Sequence, residues 1–224
     1  MDGDGQMNPD EIQDLIDPII NDDVDFTKAN RLIHGDVHHH MPKHRFWGNA
    51  ILTLLTKIAS GYWHVTDAQT GFTACNRKII ESLPFEKLYT SYGYPNQILV
   101  MLNIFNFRVR DISSKPIYNV GETSHINIGI VGFKISWLLW RSFLWRMREK
   151  YIIRDFHPLV FFYLLGFGFL GLSVSLFVRL CYFWVISGQI PSINALAAMF
   201  SFVSSNTFML FAMWFDMDYN KDLK

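Results

Sequence analysis

Two long uncharged segments near the C-terminus constrain this chain more than any other feature. Residues 159–178 and 193–215 contain no Asp, Glu, Lys or Arg. A helix of about 20 residues crosses the hydrocarbon core of a bilayer. The turn between them carries Gly188 and Pro191, which favour a reversal of the chain. The sequence therefore predicts a two-helix transmembrane hairpin with a short tail over residues 158–224. A buried helical pair in a soluble protein is the less favoured alternative, because such spans are rare in globular cores.

Basic residues flank this hairpin asymmetrically, and the turn within it has none. Five precede the first span and two follow the second: Arg141, Arg146, Arg148, Lys150, Arg154, Lys221 and Lys224. Positive charge is retained on the cytoplasmic side of a membrane. We therefore expect a multi-pass membrane protein whose soluble part and both hairpin ends face the cytoplasm.

The segment before the hairpin, residues 129–157, is predicted to form a juxtamembrane amphipathic helix. Its apolar residues recur at helical spacing, and Trp137, Trp140 and Trp145 lie among basic residues. Tryptophan and arginine together are typical of a helix in the headgroup layer. The alternative is an ordinary amphipathic helix packed on the preceding domain.

Residues 1–128 alternate charged and apolar stretches in the manner of a soluble domain. A helix is expected after Asn8, a strand over Val24–Ile33, and a helix that ends at Gly61. A short strand, two helices and a last strand follow. This alternation predicts an α/β fold with a mixed sheet. The formal net charge is zero, so the charge gives no reason to expect a nucleic-acid partner.

The motif "DGDGQ" places two carboxylates, Asp2 and Asp4, one residue apart. Carboxylates suit Mg²⁺ or Mn²⁺, and such a cation neutralises a diphosphate leaving group. The alternative is an acidic helix N-terminus, which the helix dipole favours. An EF-hand loop fits poorly, because the twelfth position counted from Asp2 is Gln13.

The segments "DGDGQMNPDEI", "ANR", "GNAILTLLTKIASGYWHVTDAQTGFTACNR" and "GETSHINI" occur in this order. Together they resemble the polyprenyl-phosphate glycosyltransferases, inverting family-two enzymes of the dolichyl-phosphate mannose synthase type. The resemblance covers residues 1 to about 128, and the hairpin also fits it. It implies the C-terminal half of an A-type, Rossmann-like glycosyltransferase domain. In that family the part that holds the nucleotide precedes the Asp-x-Asp, so we expect a truncated chain that is inactive alone.

The resemblance implies a metal-dependent transfer of sugar from a nucleotide sugar to a polyprenyl phosphate, dolichyl or undecaprenyl, at the cytoplasmic membrane face. Asp2 and Asp4 would hold Mg²⁺ or Mn²⁺ beside the donor, and Gln6 would orient the donor site. The alternative is a non-catalytic, membrane-anchored interaction protein derived from such an enzyme. Whether the chain forms a homo-oligomer is left open.

The resemblance also implies an acceptor site. Asp67 is the expected catalytic residue, as a base or as an orienting group; otherwise it is a turn residue that binds its own backbone. Arg31 and Arg45 match positions of acceptor-phosphate contact, and Asn49 matches a position where the family often has Ser. A polyprenyl phosphate has its second pKa near 6. Its oxygen therefore needs alignment and charge compensation more than a strong base.

Two departures from the family concern the acceptor side. Asn96 and Gln97 stand where the family often has an acid, and His125 stands where it often has Lys. The histidines of residues 34–44 form a run on a polar loop. We do not expect them to bind zinc, because adjacent histidines without a scaffold do not converge on one metal.

Overall fold

The computed structural model describes residues 7–32, 43–115 and 128–224. The chain divides into two compact units. The first, called here the sheet unit, comprises Met1–Lys150 and Asn220–Lys224. The second, the hairpin unit, comprises Tyr151–Tyr219. The last five residues therefore belong to the same unit as the first 150.

In the described part of the sheet unit, three strands form a sheet in the order β2-β1-β3. Strand β1 (Phe26–Asn30) lies in the centre and is buried throughout. Strand β2 (Thr73–Cys75) pairs with it in antiparallel orientation, and β3 (Val109–Ser113) in parallel orientation, with Lys28 opposite Asp111. The predicted mixed sheet is thus confirmed.

Strand β1 is shorter than the expected Val24–Ile33, and its end has a local cause. The backbone N–H of Arg31 donates to Asp67 Oδ2 at 3.2 Å, and that of Leu32 donates to Asn30 Oδ1 at 2.9 Å. Side-chain acceptors that take over backbone donors end a strand ladder. The chain therefore leaves the sheet at the point where its polar side chains gather.

Among the residues that the structure describes, five helices complete the sheet unit: α1 (Ile12–Ile20), α2 (Lys43–Ser60), α3 (Arg77–Ser82), α4 (Tyr94–Ile104) and α5 (Ile128–Arg148). Short 3-10 turns occupy Pro9–Glu11 and Phe85–Lys87, and a π-helical segment occupies Glu149–Arg154. The predicted cap is present, because the Asn8 side chain accepts from the Asp10 N–H at 3.1 Å. Helix α2 ends at Gly61, whose φ of 77° favours glycine.

The two faces of the sheet carry separate apolar clusters. Phe26 and Val109 lie on one face with Tyr62 and the buried residues of α4. Ala29 lies on the other face and packs with Leu15 of α1 and Phe72. Because side chains alternate along a strand, Lys28 and Asn30 share the face of Phe26. Polar groups thus continue one core cluster toward the end of the strand.

Helix α5 and the C-terminal tail meet inside the sheet unit. Arg146 and Lys150 are fully buried there. Arg146 Nη2 donates to the carbonyl of Ile58 at 3.0 Å. Leu223 of the tail packs against the main core cluster, and its carbonyl accepts from the Val109 N–H at 3.0 Å.

The hairpin unit contains α6 (Leu159–Ser187) and α7 (Ser192–Tyr219), and the mean hydropathy reaches 2.1 and 1.5 over 18 residues of each helix. Each is long and apolar enough to cross a membrane. The helices pack through small and polar residues, as Ser205 Oγ donates to the Gly166 carbonyl at 2.8 Å. A Cβ at Gly166 would lie 2.9 Å from Met209 Cγ, so glycine permits this close approach. Most of the large apolar side chains of both helices are exposed.

Candidate functional site

Polar side chains gather where β1 and β3 end, beside the loop that connects α2 to β2. Strands β1 and β3 are parallel, so their carboxyl ends lie at the same edge of the sheet. This edge is where open α/β sheets bind ligands. The strands supply Lys28, Asn30 and Asp111, the residue after β1 is Arg31, and the loop supplies Asp67.

Arg31 and Asp67 form a two-pronged ion pair at this edge. Arg31 Nε donates to Asp67 Oδ2 at 2.7 Å, and Nη2 donates to Oδ1 at 3.1 Å. The side chain of Asp67 is 5% exposed and that of Arg31 39% exposed. Parallel hydrogen bonds from a guanidinium to a carboxylate fix the orientation of both groups. The pair therefore holds a half-exposed cation in a defined position.

Burial raises the pKa of the Asp67 carboxyl, but its contacts outweigh this effect. The hydrogen bonds and charge of Arg31, with the charge of Lys28, hold the pKa of Asp67 below its ordinary value. An ionised carboxylate of low pKa is a weak base at neutral pH. Its environment therefore suits Asp67 to an orienting role better than to proton abstraction.

Asp111 anchors the other side of the loop. Its Oδ2 accepts from Asn30 Nδ2 at 2.7 Å and from the Thr66 N–H at 2.9 Å. Asn30 Nδ2 also contacts Thr66 Oγ1. Burial raises the pKa of Asp111, although these hydrogen bonds and the charge of Lys28 oppose the increase. Asp111 thus fixes the residue that directly precedes Asp67.

Lys28 lies between the two carboxylates and is 1% exposed. Its Nζ donates to the carbonyl of Thr70 at 3.1 Å, which ties the far end of the same loop to β1. Burial lowers the pKa of Lys28 to about 8, while the charges of Asp67 and Asp111 oppose the decrease. The loop of residues 66–70 is therefore held at both ends by charged groups of the sheet.

Several residues expected from the sequence lie outside this cluster or outside the described residues. Asp2, Asp4 and Gln6, the histidines at positions 34–40, and His125 fall outside the described ranges. Arg45 and Asn49 lie in the first two turns of α2, where only the backbone is described. Among residues 7–32, 43–115 and 128–224, no group of three or more His, Cys, Asp or Glu side chains could hold a metal ion.

Asn96 and Gln97, the departure from the family at the start of α4, make structural contacts. Asn96 is buried, and its Nδ2 donates to Thr56 Oγ1 at 2.7 Å. Gln97 Oε1 accepts from the Tyr89 N–H at 2.6 Å. The described contacts of both residues are therefore with α2 and with the chain before α4.

Lys28 and Asp111 are site residues that sequence reasoning missed. A signal for Lys28 was present in the sequence. Lys28 lies on the same face of the expected strand as Phe26, and a charged side chain that is buried needs partners. Asp111 has a similar signal in the motif "RVRDIS". Neither signal identifies the partner, because Lys28 and Asp111 lie opposite each other only through the parallel register of β1 and β3.

Comparison with known proteins shows what this part of the chain is similar to. Residues 1–83, which include β1, the Arg31–Asp67 pair and β2, match the family described as Glycosyl transferase family 2. The resemblance read from the sequence is thereby confirmed, and these matches support a glycosyltransferase lineage for the chain.

Two curated relatives extend this result. The chain is 28% identical over 138 residues to a UDP-N-acetylglucosamine--dolichyl-phosphate N-acetylglucosaminyltransferase of Methanococcus voltae. This match covers 62% of this chain and 55% of that protein. The chain is 26% identical over 142 residues to an uncharacterized protein of Methanocaldococcus jannaschii, with 62% and 56% covered. The chain thus spans about half the length of these relatives. No solved structure matches the chain.

Proposed function

We propose that this protein takes part in the transfer of a sugar from a nucleotide sugar to a polyprenyl phosphate at the cytoplasmic face of a membrane, with inversion at the sugar. The observation that carries the proposal is the Arg31–Asp67 ion pair at the carboxyl end of the central strand. The name of the Methanococcus voltae relative supports a lipid-phosphate acceptor. It also makes UDP-N-acetylglucosamine the first donor to test.

In this proposal Arg31 contacts the acceptor phosphate, and Asp67 holds the guanidinium in place. The acceptor oxygen is already largely anionic at neutral pH, since the second pKa of a phosphate monoester is about 6. The reaction therefore depends on alignment and charge compensation. Arg45 and Asn49, at the start of α2, are proposed as further acceptor contacts on the strength of the resemblance.

Asp2, Asp4 and Gln6 are proposed as the donor side of the site. A carboxylate pair of this kind suits Mg²⁺ or Mn²⁺. The cation would supply neutralisation of the diphosphate leaving group. This assignment rests on the resemblance and on the chemistry of the two aspartates.

The proposal includes an A-type, Rossmann-like catalytic domain on residues 1–128 and a helix at the membrane surface over residues 129–157. Exposed Phe133, Trp137, Trp140 and Leu144 on α5 support the second assignment, because aromatic and basic residues favour the headgroup layer. The absence of basic residues from the turn of the hairpin supports a cytoplasmic sheet unit.

The test is an assay in purified membranes with this chain and with a version extended at its N-terminus by the nucleotide-binding part of such an enzyme. Both receive Mg²⁺ or Mn²⁺, a short polyprenyl phosphate and a panel of nucleotide sugars that includes UDP-N-acetylglucosamine. We expect lipid-linked sugar from the extended version and none from the chain alone. Arg31→Lys in the extended version should reduce the formation of lipid-linked sugar about tenfold or more, because lysine cannot reproduce the forked contact. Arg77→Lys is the matched control, since Arg77 is exposed and pairs only with Glu81 among its described contacts.

No transfer by the folded extended version with any donor would contradict the proposal. That result would favour the alternative, a membrane-anchored interaction protein without catalytic activity. Equal losses in Arg31→Lys and Arg77→Lys would leave the lineage intact but remove Arg31 from the site.

A further inference from the structure

Helix α5 presents an exposed face that is aromatic and basic. Phe133 and Trp137 are 75% and 58% exposed, and Leu144 is 47% exposed. Three basic residues share the exposed side: Lys134, Arg141 and Arg148. The 21 residues of the helix include no Asp or Glu. Such a surface attracts anions and amphiphiles, and α5 itself carries no carboxylate that would repel an anion.

A cavity of about 400 Å³ lies beside this face, within the sheet unit. One wall is α5, which contributes Leu138, Arg141, Ser142 and Trp145, the i, i+3, i+4 and i+7 positions of one helical face. The opposite wall is made of residues 87–90 and Gln97. The cavity thus lies between α5 and the turn that precedes α4.

The wall opposite α5 is fixed by hydrogen bonds and packing. Gln97 Oε1 accepts from the Tyr89 N–H at 2.6 Å, and its Nε2 donates to the Lys87 carbonyl at 3.4 Å. Leu88 and Trp145 pack against the main core cluster. A Cβ at Gly93 would lie 2.5 Å from Leu138 Cδ2, so this turn is pressed against α5. The shape of the cavity is therefore set by the fold.

The lining combines positive charge, hydroxyl groups and apolar surface. Lys87 and Arg141 are exposed cations, and no carboxylate is among the lining residues. Tyr89, Thr90 and Ser142 add hydroxyl donors. Leu138 and Trp145 supply an apolar wall. These groups match a ligand that joins a phosphate to a hydrocarbon chain.

The geometry points to a binding site for the phosphate headgroup of an anionic membrane phospholipid, between α5 and residues 87–90. Ten residues of sequence separate the end of α5 from the start of the first predicted span, so this helix belongs to the juxtamembrane part of the chain. Basic residues beside a membrane each gain free energy from an anionic leaflet. The inference does not depend on sugar transfer.

The experiment compares lipid binding by purified full chain in neutral detergent, measured by native mass spectrometry. The probes are dioctanoyl phosphatidylglycerol, dioctanoyl phosphatidylcholine and a short polyprenyl phosphate. We expect wild-type chain to prefer phosphatidylglycerol, and Lys87→Gln/Arg141→Gln to weaken that binding about tenfold or more. Both side chains are exposed, so the variant should keep the unfolding temperature of the wild type.

Arg77→Gln/Lys78→Gln is the matched control, because it removes the same charge from exposed positions on α3 that do not line the cavity. Retention of phosphatidylglycerol binding in the control, with loss in the cavity variant, supports the site. Equal losses in both variants would overturn it in favour of general charge attraction. Wild-type binding that does not distinguish the two phospholipids, or that occurs with polyprenyl phosphate alone, would also overturn it.

Discussion

The Nζ of Lys150 lies 2.7 Å from Oδ1 of Asn220, although 70 residues separate them in the sequence. Both side chains are buried. Lys150 also donates to the carbonyl and to Oδ1 of Asn103 in α4, at 2.9 and 3.0 Å. The chain therefore leaves the sheet unit and returns to it at one buried polar cluster.

This relationship gives a prediction about topology. If α6 and α7 each cross the membrane, Ser187 and Asp222 lie on opposite sides, because α7 lies between them in the sequence. The tail that contains Asp222 belongs to the sheet unit, so the sheet unit should share the side of Asp222. We expect single cysteines at these positions, in a Cys75→Ser/Cys181→Ser background, to react with impermeant reagents from opposite sides. The control is a Cys181→Ser variant without an introduced cysteine, which keeps the exposed native Cys75 of the sheet unit and should react from the side of Asp222. Labelling of Ser187→Cys and Asp222→Cys from one side would exclude the hairpin.

The tail should also contribute to the stability of the sheet unit. Asn220→Ala removes the Oδ1 atom that accepts hydrogen bonds from Asn103 Nδ2 and from Lys150 Nζ. A buried donor left without a partner costs about 1–3 kcal/mol. We expect a clear decrease in the free energy of unfolding, measured by denaturant titration in detergent. Asp222→Ala is the control, because Asp222 is exposed and a change there should stay within about 0.5 kcal/mol. Equal effects of the two substitutions would show that the tail is not held through Asn220.

A third prediction separates acceptor contacts from donor contacts. If Arg31 and Arg45 bind the acceptor phosphate, Arg31→Ala and Arg45→Ala, each made in the N-terminally extended version, should raise the KM for polyprenyl phosphate about tenfold or more, as expected for a charged hydrogen bond. Binding of the nucleotide sugar, measured by calorimetry, should change little. Parallel losses in both measurements would instead assign these arginines to the fold or to the donor. Asp67→Asn should resemble Arg31→Ala in its KM effect, because it removes the charge that holds the guanidinium.

The fourth prediction concerns pH and the buried ammonium of Lys28. Its pKa is about 8 in the fold and near 10.5 in the unfolded chain, so between these values the unfolded state binds more protons. The free energy of unfolding therefore gains a contribution from Lys28 as pH rises through this window, up to about 3 kcal/mol. Asp67, Asp111 and Arg31, the charged groups that act on it, keep their charge over this range.

Lys28→Met should remove this rise, which is checked by chemical denaturation at pH 7.5 and at higher values up to about pH 10. The difference in unfolding free energy between variant and wild type should move by about 2 kcal/mol in favour of the wild type across that range. Lys78→Met, at an exposed position on α3, is the control and should show no such trend. A flat difference for Lys28→Met would mean that the ammonium is not desolvated.

Local signals predicted most of the fold. The Asn8 cap, the end of α2 at Gly61 and the alternation near β1 each depend on a few neighbouring residues. The pair of long apolar helices is equally local, since composition alone identifies it. Asp67 and Arg31 were predicted from a motif resemblance, but their ion pair was not, because it joins a strand end to a loop 36 residues away.

The remainder depends on contacts between distant parts of the chain. The burial of Lys28 beside Asp111 follows from the pairing of β1 with β3, which no local pattern encodes. Arg146 and Lys150 were expected at the membrane surface as part of a basic cluster. Their hydrogen bonds to α2, α4 and the tail instead place them in the interior of the sheet unit.

The contact between Leu223 and the core also sets an order of events during synthesis. The ribosome makes Asn220–Lys224 after both long helices have been translated. Domains that lie early in a chain usually fold while the rest is still being made. Here the sheet unit cannot bury Leu223, or pair its carbonyl with Val109, until the hairpin is complete. Until then the unit stays unfinished, and an arrest of translation within the hairpin should leave the early domain more sensitive to proteases than the released chain.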